Sequence, residues 1–494
     1  MAHTIAEKIH TQLMAYLEEV SQPLWSIKPS KLGGRGLFAL QPIKKGTLIF
    51  KNKPLIVAPR ADRAGDFYCT ICNQVSKACR PCEQCSLAIC SEECKTSKDH
   101  DTECNFITTN WKPKPDSDND IHHPEVLARM QIYLRFLLLK KDHKLLLTFL
   151  QNNNAEGKFL ELEMLCRTHV VPDDQITFMK LVHSIININS FRIPNNPLDG
   201  KIPLRGLYPL SAFLNHNCVP NTRNVFYPDY TMAVYATKDI EVGEEILTCY
   251  TGLLLCTPAR RCFLYKSKHF WCKCERCKDN TEMGTKLSAL KCFNKECVGI
   301  LLPTSPLNPE AEWCCDNCAS KNTPDEVRTI QSILGSLVGS LDLDDQFRLE
   351  AAILARLANF IPYSNHIFID LRLRLALKIG FTEGLKLNEL SESRLALKEN
   401  LCRGTLRTLA ALGVGDAHLR GLLLYHLHAA LAERARRSPD LYEEIKSEIE
   451  STIEQAYIIL QGDISAPPDL ELRRRYLGPG CDKPQEERFF ILDA

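Results

Sequence analysis

Cysteine placement constrains this chain more than any other feature. Of its 23 cysteines, eight fall between residues 69 and 104, six between 249 and 277, and five between 292 and 318, after which only Cys402 and Cys481 follow. Closely spaced thiols pair as disulfides in an oxidising compartment and hold metal in a reducing one. The N-terminal stretch MAHTIAEKIHTQLMAYLEEV mixes acids with apolar residues, unlike a secretory signal. No window reaches the ~18 continuous apolar residues that a membrane helix needs. The expectation is therefore a soluble intracellular protein without membrane association, whose clustered thiols are reduced and bind zinc.

The spacings sharpen that expectation. Block 69–104 carries C-x2-C at Cys69 and Cys72, C-x2-C at Cys82 and Cys85, then Cys90, Cys94, His100 and Cys104. Eight thiol or imidazole ligands in so short a stretch supply two tetrahedral zinc sites, which close loops too small to fold unaided. Cys79 fits neither set. A second constellation, C-x-C-x2-C at Cys272, Cys274 and Cys277, is one ligand short of a structural site. The third pairs Cys292 and Cys297 with the run WCCDNC, and its two knuckles resemble a zinc ribbon with Cys292, Cys297, Cys315 and Cys318 as ligands. There Cys314 is an alternative to Cys315.

At ~150 residues per domain, 494 residues imply about three domains. Short β-branched runs with glycine turns (LWSIKPS, GRGLFAL, TLIFKNKPLIVAP) read as a small β unit, which the cysteine block interrupts. A polar linker from Lys112 to Asp120 follows, and helical spacing runs from His123 to Asn189, as in VLARMQIYLRFLLLKK and DDQITFMKLVHSIININ. Strand signals return in NVFYPDYTMAVYA, where a Pro-Asp turn implies a hairpin, and end with EVGEEILTCY. Beyond residue 324 six amphipathic segments follow, starting with EVRTIQSILGSLVGSL and FRLEAAILARLANFI, and read as stacked helical hairpins of the tetratricopeptide kind. A net charge of +1 offers nucleic acid no chain-wide attraction, so direct nucleic-acid binding is not expected.

Three segments of the β unit stand out for chemistry. In GGRGLFAL the glycines around Arg35 permit close backbone approach to a ligand. In NHNCVPN the polar pair Asn215 and His216 follows the apolar SAFL, and in EVGEEILTCY the strand ends at Tyr250. Singly, each reads equally well as a turn, a cap or a core residue. In this order, together with the interrupting cysteine block, they closely resemble the SET and MYND domain family of protein lysine methyltransferases, in an arthropod-type branch.

That resemblance implies a multidomain α+β fold: a β-rich SET domain split by a zinc-binding MYND finger and a helical insert, a cysteine-rich post-SET segment, and an all-α tetratricopeptide-like C-terminal domain. The implied boundaries are an N-terminal helix (1–24), the first SET part (25–68), the finger (69–104), linker and insert (105–188), SET core (189–252), post-SET segment (253–280), ribbon-like segment (281–323) and helical domain (324–494). Within the finger it implies that Cys69, Cys72, Cys90 and Cys94 hold one ion, and Cys82, Cys85, His100 and Cys104 the other. It also adds Cys218 to the post-SET triplet, giving four zinc ions in all with the ribbon.

By the same resemblance S-adenosylmethionine is the cofactor, lined by Gly34, Arg35, Gly36, Leu37, Asn189, Asn215, His216 and Phe270, with Tyr250 catalytic. Lys268 stands where such proteins usually carry a second channel tyrosine, and a cation there would repel an incoming lysine. The implied activity is methylation of lysines on histone or other proteins in transcription regulation, by a monomer in cytoplasm and nucleus. Pro-rich peptides are the implied partners of the finger. The second reading is a zinc-binding scaffold that recruits proteins through its finger and helical domain.

Overall fold

A computed structural model describes residues 2–17, 22–59, 68–114, 123–151, 159–194, 200–341, 357–382 and 385–492. Its longer β strands in the first half of the chain form three small sheets, beside two-stranded ladders. One orders Trp25–Pro29, Arg35–Ala39, Glu245–Thr248 and Asn215–His216; the last two run parallel and the other neighbours antiparallel. A second sheet sets Ile56–Pro59 and Ser190–Ile193 on either side of Leu204–Leu207. The third joins Leu48–Asn52 to the hairpin Thr222–Phe226 and Met232–Ala236, whose turn Tyr230 closes at φ +65°. The run TLIFKNKPLIVAP is thus two strands in two sheets, because Pro54 lies in the break and cannot donate to a ladder.

The cysteine block folds as a short ladder (Arg80–Pro81 with Ala88–Ile89) and two helices, Glu92–Lys95 and Lys98–Asn110, each started by a serine cap, Ser91 and Ser97. The insert supplies His123–Leu137, Lys141–Leu147, Leu160–Thr168 and Asp173–Asn189. Residues 115–120 of the expected linker lie outside the described residues. All these parts share one hydrophobic core, in which Trp25, Leu37, Phe136, Ile186 and Ile246 are buried.

The ribbon-like segment is a four-stranded meander: Leu290–Lys291, Ile300–Pro303, Trp313–Cys315 and Lys321–Asn322. It shares a second core with the C-terminal helices, as Leu290 and Trp313 pack with Phe368, Leu423 and Leu431. Among the described residues the expected helical segments form Pro324–Gly339, His366–Lys378, Glu392–Ala411, His418–Arg437 and Pro439–Leu460. Of the expected segment 347–361, residues 347–356 lie outside the described residues, and the rest begins with the turn Leu357–Asn359. The helix Leu470–Leu477 went unread because LELRRRYL carries too few apolar residues for a stripe. Inside this domain Lys398 is fully buried, its ammonium donating to the carbonyls of Ala376 (2.6 Å) and Ile379 (2.8 Å) where the helix His366–Lys378 ends.

The helical domain docks on the hairpin sheet through main-chain atoms. The Arg223 guanidinium donates to the carbonyls of Ile459 (3.3 Å) and Ile458 (3.2 Å), and the Phe226 and Ile464 amides reach Asp463 Oδ2 and Phe226 O at 3.0 and 2.7 Å. The tightest point is Gly415, at φ +60°, where a Cβ would stand 2.1 Å from the Thr237 carbonyl oxygen.

Gly415→Ala therefore meets both a backbone clash and an unfavourable left-handed conformation. The substitution is expected to cost about 2 kcal/mol or more. A thermal melt should show a lowered midpoint for this variant, whereas Gly335→Ala, which faces open space within the helix Pro324–Gly339, should melt at or slightly above the natural midpoint.

Candidate active site and metal centres

The central sheet brings together three segments that lie up to about two hundred residues apart. Gly33 (φ +119°) and Gly34 (φ +60°) make the turn into the strand Arg35–Ala39. At Gly36 any Cβ would lie 2.1 Å from Glu245 Oε1 and 3.0 Å from Asn215 Nδ2, so only glycine lets these strands carry their polar groups inward. The Asn215 amide donates to Glu245 Oε1 (2.7 Å) and to the Arg35 carbonyl (3.1 Å), and Ser30 Oγ donates to the other Glu245 oxygen (2.9 Å). Glu245 thus knits all three segments. Sequence reading missed it, although the Gly-Glu-Glu turn could have flagged it.

Leu37 sends its side chain into the core, leaving only its main chain to line a pocket. Arg35 turns outward to donate to the Phe149 carbonyl (2.7 Å), with its guanidinium carbon 5.5 Å from the centre of the Phe213 ring. Asn189, buried at the end of the helix Asp173–Asn189, donates to the carbonyls of Gln151 (2.7 Å) and Ile185 (2.8 Å). Since Gln151 Nε2 would also meet a Cβ on Gly34, the glycine turn and Asn189 border the same residue.

His216, Tyr250 and Phe270 form an aromatic group, with the His216 ring 5.3 Å from Tyr250 and 6.0 Å from Phe270. The Tyr250 amide donates to His216 Nδ1 (3.0 Å). A nitrogen that accepts carries no proton, so His216 Nε2 holds the hydrogen and directs it at Cys218 Sγ, 3.3 Å away. Burial pushes the His216 pKa down to about 4, which keeps the ring neutral. The Tyr250 hydroxyl donates to the Leu214 carbonyl (2.5 Å), and burial, reinforced by the Glu245 charge, pushes its pKa well up. Lys268 ends the helix Thr257–Lys268 and folds back over this group. Its ammonium is 5.6 Å from the centre of the Tyr250 ring and donates to the carbonyls of Ile188 (2.5 Å) and Asn187 (3.4 Å). Burial lowers its pKa to about 8.

All four cysteine constellations assemble. In each of the sets Cys69/Cys72/Cys90/Cys94, Cys82/Cys85/His100/Cys104, Cys218/Cys272/Cys274/Cys277 and Cys292/Cys297/Cys315/Cys318, the four ligand atoms lie within 4.8 Å of one another. Sulfurs ~2.3 Å from a shared tetrahedral ion stand about 3.8 Å apart. The separations Cys72–Cys90 (3.6 Å), Cys90–Cys94 (3.8 Å), Cys218–Cys272 (3.9 Å), Cys218–Cys277 (3.6 Å), Cys292–Cys318 (3.6 Å) and Cys297–Cys315 (3.7 Å) fit that edge. His100 Nδ1 faces the Lys95 carbonyl at 2.6 Å and so carries the proton, leaving the Nε2 lone pair free 3.6 Å from Cys85 Sγ. In the ribbon, neighbouring strand residues point to opposite faces, so Cys315 joins Cys297 while Cys314 turns toward the Ala319 carbonyl. Cys79 is buried outside both finger sets.

The third set has a shell that sequence alone did not reveal. Four thiolates around a divalent ion leave two negative charges, costly inside a protein unless compensated. Arg260, fully buried, donates through Nε to Cys218 Sγ (3.1 Å) and through a terminal nitrogen to Cys277 Sγ (3.5 Å). Its other terminal nitrogen meets Glu282 Oε2 at 2.6 Å, and Arg276 reaches the same oxygen at 3.2 Å. Burial alone would raise the Glu282 carboxyl, but the two guanidiniums outweigh it and hold its pKa below the ordinary value.

The SET domain model matches residues 34–251 of this chain. SET domain-containing protein SmydA-8, isoform A, of Drosophila melanogaster is 29% identical over 415 residues, covering 81% of this chain and 87% of that protein. Histone-lysine N-methyltransferase SMYD3 of Homo sapiens is 28% identical over 302 residues, 57% of this chain and 67% of that protein. N-lysine methyltransferase SMYD2 of Homo sapiens is 27% identical over 273 residues, 52% of this chain and 61% of that protein.

Glu282→Ala would leave two buried guanidiniums without their carboxylate. Breaking a buried pair on one side costs about 3–5 kcal/mol. The variant should melt below the natural protein, and Glu282→Gln, which keeps the shape and loses the charge, should recover only part of the difference.

Proposed function

From the premise that this chain belongs to the SET and MYND domain family of protein lysine methyltransferases, we propose that it moves a methyl group from S-adenosylmethionine to the side-chain amine of a lysine on a protein substrate. The observation that carries the reading is the meeting of Gly36, Asn215 and Glu245 on one sheet, next to Tyr250 held by His216. The residues fit a sulfonium cofactor: the Gly33–Gly34 turn, open at Gly33, presents bare backbone to it, and the Glu245 carboxylate complements its positive charge. Bound there, the cofactor supplies an activated methyl.

In this reading Gly34, Arg35, Gly36 and Leu37 offer main-chain atoms, while Asn189, Asn215, His216 and Phe270 offer side chains. Transfer to a neutral amine needs in-line positioning and a polar surround rather than a strong base. Tyr250 suits that role because its raised pKa keeps the hydroxyl protonated at neutral pH, so it orients and polarises without taking a proton. A buried neutral His216 holds the Tyr250 main chain in place.

Each cysteine set, with His100 in the second, holds one zinc ion in this reading, four per chain. Reduced thiols of this kind suit cytoplasm and nucleus, the compartments we assign. Histones or other lysine-bearing proteins are the substrates we infer, with transcription regulation as the setting, Pro-rich peptides as partners of the MYND finger, and an arthropod-type branch as the placement. The protein acts as a monomer in this reading. A scaffold function is the second reading, and the observation in its favour is the Lys268 ammonium lying over Tyr250.

Zinc content, cofactor binding and methyl transfer test this reading. Elemental analysis should return four zinc ions per chain, and Cys274→Ser should remove one and lower the melting midpoint, since metal binding is part of folding. Two ions per chain would remove both downstream sites. Calorimetry should show S-adenosylmethionine binding and stabilising the natural protein, with binding lost in Asn215→Ala/His216→Ala. Tyr250→Phe should bind the cofactor normally yet transfer methyl at least about a hundredfold more slowly. No cofactor binding to folded, zinc-loaded protein would overturn the enzyme reading.

A further inference from the structure

Lys268 holds a partly buried charge that the described residues leave without a counter-ion. Its hydrogen-bond partners are the Ile188 and Asn187 carbonyls, and no carboxylate pairs with it. The last carbonyls of a helix offer a cation partial charge only. Several other buried or half-buried cations have a carboxylate: Arg135 has Glu103 (2.7 Å), Arg260 has Glu282 (2.6 Å), Arg403 has Glu448 (2.6 Å) and Arg473 has Asp469 (2.5 Å), whereas Arg35, Arg223 and Arg261 donate to carbonyls as Lys268 does, but away from the Tyr250 ring. Lys398 also lacks a carboxylate, but it is sealed between helices with three acceptors, whereas Lys268 keeps partial access to solvent. The sequence around Lys268 deepens the imbalance. From Ala259 to Cys274 there is no acidic residue, while Lys266, His269 and Lys273 are exposed.

The place of this charge gives it meaning. The ammonium lies above the Tyr250 ring and against the carbonyl of Ile188, the neighbour of Asn189. A lysine approaching Tyr250 alone would meet a like charge in a poorly screened site, and repulsion there exceeds that in water several-fold. A carboxylate arriving beside the lysine would neutralise the intruding charge. It would also draw Lys268 from the aromatic face, because a full charge outcompetes two carbonyl dipoles.

We propose that the acceptor side of this site selects lysines flanked by acidic residues, with Lys268 as the residue that reads the flanking carboxylate. The proposal rests on the methyltransferase reading and names its substrate class. A carboxylate could also come from the methionine part of the cofactor itself, and the test separates the two sources.

The experiment uses the zinc-loaded full chain and three synthetic peptides, alike except that glutamates, glutamines or arginines flank the lysine. Peptide affinity is read by fluorescence anisotropy with and without S-adenosylhomocysteine, and cofactor affinity by calorimetry. The glutamate peptide should bind about tenfold more tightly, as a charge-assisted pair in a half-buried site allows. Lys268→Met should erase the difference and Lys268→Glu should reverse it against an arginine-flanked peptide, with cofactor affinity unchanged within about twofold. Equal binding of the glutamate and glutamine peptides, no binding of either, or a preference that survives Lys268→Met would overturn the proposal. Weakened cofactor binding in Lys268→Met would overturn it too, by assigning the charge to the cofactor's carboxylate. If the natural protein binds no cofactor, the methyltransferase reading fails instead, and the peptide comparison without cofactor still decides this one.

Discussion

Cys218 is the atom cluster on which the arrangement of the site depends. Its sulfur receives the His216 Nε2 hydrogen and the Arg260 Nε hydrogen while lying within metal-sharing distance of Cys272 and Cys277. His216 sits on the strand that carries Asn215, and its other nitrogen fixes the Tyr250 amide. One thiolate thereby ties the strand Asn215–His216, Tyr250, the helix Thr257–Lys268 and the loop that carries Cys272, Cys274 and Cys277. A β ladder joins only the first of these to the strand Glu245–Thr248 that leads into Tyr250. Without a shared ion the four sulfurs would lose their reason to converge, and the orientation of His216 would go with them.

The same centre explains why so much charge is tolerated inside the protein. A tetrathiolate site needs positive neighbours, and two arginines supply them. Two arginines need partial neutralisation, and Glu282 supplies it from a residue at φ +51° that reaches back beneath the helix Thr257–Lys268. The network extends further, since Glu282 also accepts from the Thr257 amide (3.0 Å) and Ser288 Oγ (2.5 Å), just ahead of the ribbon. Lys268 has no place in this balance. It is the one cation of its helix with partial exposure and an aromatic face beneath it, which is why its charge points to a ligand rather than to the fold.

How much of this was legible in sequence follows from the reach of each interaction. Cysteine sets with partners two to twenty residues apart declare themselves by spacing, because the chain can close only a few loops around one ion. Tyr250, Asn215 and Gly36 were legible through motifs whose residue types are unusual beside strands. Glu245 was not, since its partners Ser30 and Asn215 are brought to it only by the sheet order. Arg260 and Glu282 were hidden for the same reason: nothing local distinguishes a buried arginine from the many that snorkel at surfaces. The choice between Cys314 and Cys315 needed strand direction, a fact about the ribbon sheet that spacing alone does not contain.

The ribbon connects the metal centre to the helical domain. Leu307, in the loop between two ribbon strands, packs against the Cys218 cluster, and the carbonyls of Pro306 and Leu307 accept from Arg261 at 3.3 and 2.8 Å. On its other side the ribbon merges into the helical core: the Lys291 amide donates to the Phe360 carbonyl and the Asn365 side-chain amide to the Ala289 carbonyl across the junction. The helical domain in turn seats Gly415 and Asp463 on the hairpin sheet. The chain therefore closes a loop of contacts, from sheet to metal to ribbon to helices and back to sheet. A closed loop resists relative motion at any one of its joints, because opening one requires a second to yield. The place where Lys268 meets Tyr250 lies on that loop, so the selection proposed above would fall to side-chain charge rather than to domain movement.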